Sequence, residues 1–172
     1  KYMGLSEYML YGGIPLVVLR EGANDKAIAL QNLFDEIYIR DITERNRVKN
    51  VAELEDILNI LSSSIGSLTN PEKLKNTFKS VKKSKITSAT IKKYLDYFED
   101  SFLIESALRY DIKGKAYIGT PKKYYFSDLG LCNARINFRQ FEQTHSMENV
   151  IFNELRMRGY SVDVGVVPFT EQ

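Results

Sequence analysis

The chain has 172 residues, 44% hydrophobic and 27% charged, the make-up of an ordinary globular protein long enough to bury a core without staples. Its single cysteine, Cys132, excludes an intrachain disulfide and a cysteine metal cluster, and reads as a small buried hydrophobe. The net charge of +2 conceals an asymmetry: residues 71–125 hold thirteen Lys and Arg against six Asp and Glu, a local +7 that leaves −5 elsewhere.

A basic block of that kind suits a polyanion, nucleic acid above all, with a merely solvated lysine surface as the plainer alternative. No run approaches the roughly 20 apolar residues of a membrane-spanning helix, so no membrane partner is expected. The low cysteine count fits a reducing cytoplasm. The start, Lys1-Tyr2-Met3-Gly4, has neither an initiator Met nor a signal-peptide core. The end, Phe169 to Gln172, follows directly on a strand-like run. Both termini are therefore expected to be cuts through a longer chain.

Leu5 to Tyr11 reads as a short helix broken by Gly12-Gly13-Ile14-Pro15. Leu16 to Leu19 is a short apolar run. From Asp25 to about Val48 the pattern is helical, with Leu30, Leu33, Phe34, Ile37 and Tyr38 at spacings of three and four. Arg40 with Glu44, and Asp41 with Arg45, stand four apart and can pair on its surface. Val51 to Ile65 is amphipathic. Asn70-Pro71 opens a helix that runs to about Val81, with Asn as cap and Pro at the first helical position.

Thr87 caps a helix beginning at Ser88, with Ile91, Leu95, Phe98 and Phe102 on its inner side. Leu103 to Tyr110 is a strand, Asp111 to Lys115 a flexible tip and Lys123 to Phe126 the return strand. Three helices followed by a hairpin are the order of a winged helix-turn-helix, with the Thr87-capped helix in the recognition position. Ile91, Leu95, Phe98, Leu74, Phe78, Leu58 and Leu61 are expected in one small core. Ser127 to Leu131 starts a further helical turn. Ser146 to Arg158 is amphipathic and capped by Gly159, and Ser161 to Val167 is a strand ending at Pro168.

Six fragments stand in order along the chain. They are Tyr11-Gly12-Gly13-Ile14-Pro15; Ile39-Arg40-Asp41-Ile42; Thr90 through Tyr94-Leu95 to Leu103-Ile104; Arg109-Tyr110-Asp111; Tyr125 to Leu131; and Met147-Glu148-Asn149 with Asn153-Glu154-Leu155. This series resembles the C-terminal region of the prokaryotic family of predicted AAA-type ATPases, a region itself classed as of unknown function. The resemblance implies an upstream P-loop ATPase domain in the parent chain, with ATP and Mg as the parent's cofactors. It also implies that the last segment opens a restriction-endonuclease-like fold.

The residues present supply neither activity. A phosphate-binding loop needs a glycine-rich turn ending in Gly-Lys-Ser/Thr, whereas Gly114-Lys115 is followed by Ala116 and forms a hairpin tip. Metal-assisted phosphodiester hydrolysis needs converging carboxylates. Of the elements that would bring them together, only the helix with Glu148 and the first strand, Ser161 to Val167, are present; Asp163 precedes the position of the family's metal-binding Asp, and Glu148 is expected to hydrogen-bond a neighbouring turn. His145, the only histidine, reads as a solvated or capping residue before that helix.

The expected fold class is mainly α (α+β). Residues 1–50 form a helical linker after an ATPase domain, 51–127 a winged-helix domain and 128–172 a partial endonuclease-like segment. The fragment is expected to be non-catalytic and to hold no cofactor or metal. Its winged helix is expected to bind DNA through Lys85, Thr87, Ser88, Lys92, Lys93, Lys113 and Lys115, mostly at phosphates, since the helix lacks Arg, Asn and Gln to read bases. The alternative is a regulatory module docking on the ATPase domain or another protein, without nucleic acid.

Overall fold

The computed structural model describes residues 2–139 and 142–166. α1 (Tyr2–Tyr11), α2 (Pro15–Val18), α3 (Ala23–Asn32) and α4 (Arg40–Arg45) come first. α5 (Val51–Ser63), α6 (Pro71–Val81) and α7 (Ser88–Asp100) follow. The hairpin β1 (Ile104–Asp111) and β2 (Ala116–Phe126) leads to α8 (Leu129–Arg135), α9 (Gln143–Met157) and β3 (Val164–Val166). The class is α+β, mainly helical, with one three-stranded sheet among the described residues. None of the described helices is long and apolar enough to cross a membrane.

Local chemistry sets the helix boundaries. Asn50, Asn70 and Thr87 each accept the backbone N–H three residues on, at 3.2, 2.7 and 3.1 Å. At the end of α9, Gly159 takes φ 84°, and the N–H groups of Gly159 and Tyr160 return to the carbonyls of Arg156 and Leu155.

α7 closes in the same way but without glycine, and this corrects one expectation. Phe102 was placed on the inner stripe, yet it is 81% exposed and takes φ 57°. Its N–H donates to the Glu99 carbonyl, and that of Leu103 to Phe98. The left-handed residue turns the chain, so Leu103, fully buried, takes the core position instead.

The helix expected from Asp25 to Val48 is interrupted by a π-helical stretch, Leu33–Ile39. A π turn admits an extra residue and re-phases the apolar face. Leu30, Phe34, Ile39 and Ile42 are consequently all buried, while the side chain of Ile37 lies outside the described part. On the outer surface Arg40 pairs with Glu44 at 3.0 Å and Asp41 with Arg45 at 3.5 Å, as their spacing predicts. The apolar run after Pro15 is a single helical turn with Val17 buried.

Leu58, Leu61, Leu74, Phe78, Ile91, Leu95 and Phe98 do share one core. That core continues through both expected boundaries. Met9, Leu30, Phe34 and Ile42 join it from the N-terminal helices, and Leu129, Leu131 and Cys132 from α8.

β1 and β2 pair antiparallel from Ile104 opposite Phe126 to Asp111 opposite Ala116, so the return strand starts earlier than Lys123. β3 lies parallel to β1, with Arg109 opposite Val164. The strand expected over Ser161 to Val167 is thus an edge of the hairpin's own sheet; Val167 and Pro168 lie outside the described residues. α9 crosses this sheet, where Phe152 stacks on Tyr125 at 4.1 Å and forms a second small core with Ala107.

Candidate functional site

The expected nucleic-acid residues fall in three places. Lys85 lies in the connection before α7, Thr87 caps that helix, and Ser88, Lys92 and Lys93 stand on its first half. Lys113 and Lys115 lie in the turn between β1 and β2. Several of these side chains are already engaged. Thr87 Oγ1 accepts the Thr90 N–H and shares a hydrogen bond with the Thr90 hydroxyl. Ser88 Oγ donates to Glu72 at 2.5 Å. Lys75 and Ser88 together hold the Glu72 carboxyl below the usual range.

Lys92 Nζ lies 2.8 Å from Asp96, and Lys93 Nζ stands 5.6 Å from the centre of the Tyr97 ring. Lys85 and Lys115 are exposed and make no ion pair among the described residues. Asp111 accepts the backbone N–H groups of Lys113 and Gly114 and shapes the tip.

Several of the fragments that carry the family resemblance converge elsewhere. Asp128 Oδ2 accepts the Gly13 N–H at 2.7 Å, while Oδ1 accepts that of Gly130 at 2.7 Å as the cap of α8. One carboxylate thus ties the Gly12-Gly13-Ile14 turn to the Ser127-to-Leu131 turn. Burial pushes its pKa up, and the backbone donors Gly13, Gly130, Leu131 and Ile14 offset that only in part. Gly12 takes φ 73°, and a methyl there would run into the Asp128 carboxylate; one at Gly130 would run into the Tyr11 carbonyl.

Asn133 Nδ2 donates to the carbonyls of Met9 and Leu10, both at 2.9 Å. Asn149 grips the Phe126 backbone twice, accepting its N–H at 2.8 Å and donating to its carbonyl at 2.7 Å. Asn153 adds bonds to Phe126 and Ser127. Glu148 accepts from Lys123 Nζ and the Tyr125 hydroxyl, each at 2.6 Å, so its partners are on β2 rather than in a turn. Burial acts to raise the Glu148 pKa, but these two donors outweigh it and hold the carboxyl below its usual value.

His145 sits in the first turn of α9, not ahead of it, 3.6 Å from Glu142 and 3.7 Å from Glu148. Cys132 is buried as expected, and burial pushes its thiol up to about 12. Among the described residues, no group of three or more His, Cys, Asp or Glu is placed to hold a metal ion. The hydrogen-bonding capacity of these fragments is turned inward: they build a junction between distant segments.

The open feature beside α7 is a groove of about 140 Å³ against β2. α7 lines it with Lys92, Leu95, Asp96 and Glu99. Thr120, Lys122 and Tyr124 alternate along β2 and share the face that forms the other wall. Thr69 closes the wall through two backbone hydrogen bonds with Lys122, at 2.8 and 2.9 Å. Sequence reasoning did not single out Glu99, Tyr124 or Thr69 as site residues. The period-two spacing of residues 120, 122 and 124 was the available signal, but it names a face and not what packs opposite.

Two relatives share most of this chain. An uncharacterized protein of Haemophilus influenzae is 41% identical over 160 residues, covering 93% of this chain and 40% of that one. The uncharacterized protein MJ1544 of Methanocaldococcus jannaschii is 31% identical over 156 residues, covering 91% of this chain and 34% of that one. The chain therefore spans about two fifths and one third of the lengths of these relatives. No solved structure matches it. Residues 3–142 match the family described as Domain of unknown function (DUF8612), and the chain belongs to that family.

Proposed function

We propose that this chain is a non-catalytic module of a longer AAA-type ATP-binding protein, and that its winged helix docks on protein rather than on DNA. The observation that carries the docking reading is the state of the α7 surface. The helix start, where a phosphate would approach, carries Glu72 bonded to Ser88, and the Lys92 charge is neutralised by Asp96. Carboxylates thus stand among the lysines at this surface and weaken its attraction for phosphate. α5, α6, α7 and the β1–β2 hairpin supply the winged helix. α9 and β3 are read as the opening of an endonuclease-like unit, in which Glu148 holds Lys123 and Tyr125 rather than a metal.

The ATP-binding part rests on the ordered fragments of the resemblance. The greater length of the relatives leaves room for it. ATP and Mg belong to that part, and the ATPase domain is the first docking partner to consider.

DNA is kept as a second reading because Lys85 and Lys115 are exposed without ion pairs among the described residues. A labelled duplex of about 30 base pairs, titrated with this chain at about 50 and 200 mM salt, separates the two. Docking on protein predicts no salt-sensitive binding. Binding that is clear at the lower salt and falls steeply at the higher would overturn it, and its loss in a Lys85→Glu, Lys115→Glu variant would place the contact.

A further inference from the structure

A cavity of about 40 Å³ lies where the end of α5 meets α8 and the start of α9. Leu129 and Ile136 form part of its apolar wall. Its polar lining comes from Ser62 on α5, Asn133 on α8 and Ser146 on α9, all three buried. Glu142 also lines it, but that side chain is largely exposed and stands 3.6 Å from His145.

The serines at the end of α5 behave differently from one another. Ser63 and Ser64 donate their hydroxyls to the Ile60 carbonyl, at 3.0 and 2.6 Å, the usual resort of a serine inside a helix. Ser62 does not: its Oγ is buried and has no hydrogen-bond partner among the described residues. The Ser146 hydroxyl has none there either. Asn133 spends Nδ2 on the carbonyls of Met9 and Leu10, and among the described residues nothing donates to its Oδ1. Three segments thus each bring an unspent hydrogen-bonding group to one cavity.

Size and chemistry together select the occupant. A water needs roughly 10–15 Å³ and two to four polar partners, and this cavity meets both conditions. It is too small for an organic ligand. Three neutral groups fall short of the six or so oxygens that a divalent cation takes. An apolar occupant would leave the hydroxyls unmatched at a cost. We infer that this cavity is a structural water site, in which bound water bridges Ser62, Asn133 and Ser146. The bridge ties α5 to α9 across the boundary expected at residue 127.

The test is a double-mutant cycle on the whole chain, with Ser62→Ala, Ser146→Ala and the double variant unfolded in urea. The cycle cancels what each substitution does alone, helix propensity included. If one water network serves both hydroxyls, either substitution already breaks it. The double variant is therefore expected to lose about as much in midpoint as the more damaging single one. Ser63→Ala, whose hydroxyl has its own carbonyl, is expected to add to Ser146→Ala without coupling. Additive losses for Ser62 and Ser146, or equal coupling from Ser63, overturn the inference. A high-resolution crystal structure of the unsubstituted chain decides the matter even where a variant fails to fold. It is expected to show an ordered oxygen within hydrogen-bond distance of at least two of Ser62 Oγ, Asn133 Oδ1 and Ser146 Oγ. A dry cavity, or a protein side chain turned into it, overturns the inference.

Discussion

A carboxylate has two oxygens, and Asp128 uses them on two chain segments, with Gly13 on Oδ2 and the start of α8 on Oδ1. An amide offers only one acceptor. In Asp128→Asn, one of the two N–H groups must therefore face an NH₂, either at the exposed Gly13 contact or at the part-buried Gly130 contact. Leaving a fully buried donor unmatched costs about 1–3 kcal/mol, so at this partly exposed site the unfolding free energy should fall by about 1 kcal/mol, with a lower urea midpoint. An unchanged midpoint would show that the clasp contributes nothing to stability. The glycines at 12 and 13 mark a break in the sequence, and Asp128 marks a turn. That each closes the other lies beyond a local reading, because the bond spans 115 residues. Asn149 is similar: a helix position predicts its exposure or burial, not that it will hold the Phe126 backbone at both ends.

Helix ends are governed by contacts within a few residues, and here most boundaries follow from residue type. Asn70 and Thr87 cap the helices that they were expected to cap. Thr87→Ala removes one side-chain acceptor and should cost about 1 kcal/mol. Phe102 runs the other way. It holds a left-handed conformation that costs a side-chain-bearing residue about 1–2 kcal/mol, and its ring lies outside the core. Phe102→Gly should stabilise the chain by up to about 1 kcal/mol, once the extra freedom of glycine in the unfolded state is subtracted. Paired denaturation curves for these two variants should move in opposite directions. A loss in Phe102→Gly would mean that the exposed ring contributes packing of its own. The apolar period over α7 predicted Phe102 inside because periodicity does not register where a helix stops.

The three segments expected from the sequence share one core, and the sheet joins the second to the third through β1 and β3. Removing residues 1–50 would take Met9, Leu30, Phe34 and Ile42 out of that core and strip the N-terminal covering from the rest. The remaining segment should lose its sharp urea transition and bind a hydrophobic dye, as expected of a chain whose apolar face has lost its cover. A steep, cooperative transition in the truncated chain would instead make the N-terminal helices an appendage.

The amino-acid order was enough to locate α5, α6, α7 and the hairpin, to cap α6 and α7 and to select most of the residues that face inward, Phe102 apart, because periodicity and capping act between near neighbours. It was also enough to show that no phosphate loop is present. Three features came from packing alone: the Asp128 clasp, the parallel pairing of β3 with β1, and the groove that sets Glu99 opposite Tyr124. Each depends on segments far apart in the chain meeting in one orientation, and sequence spacing carries no record of such meetings.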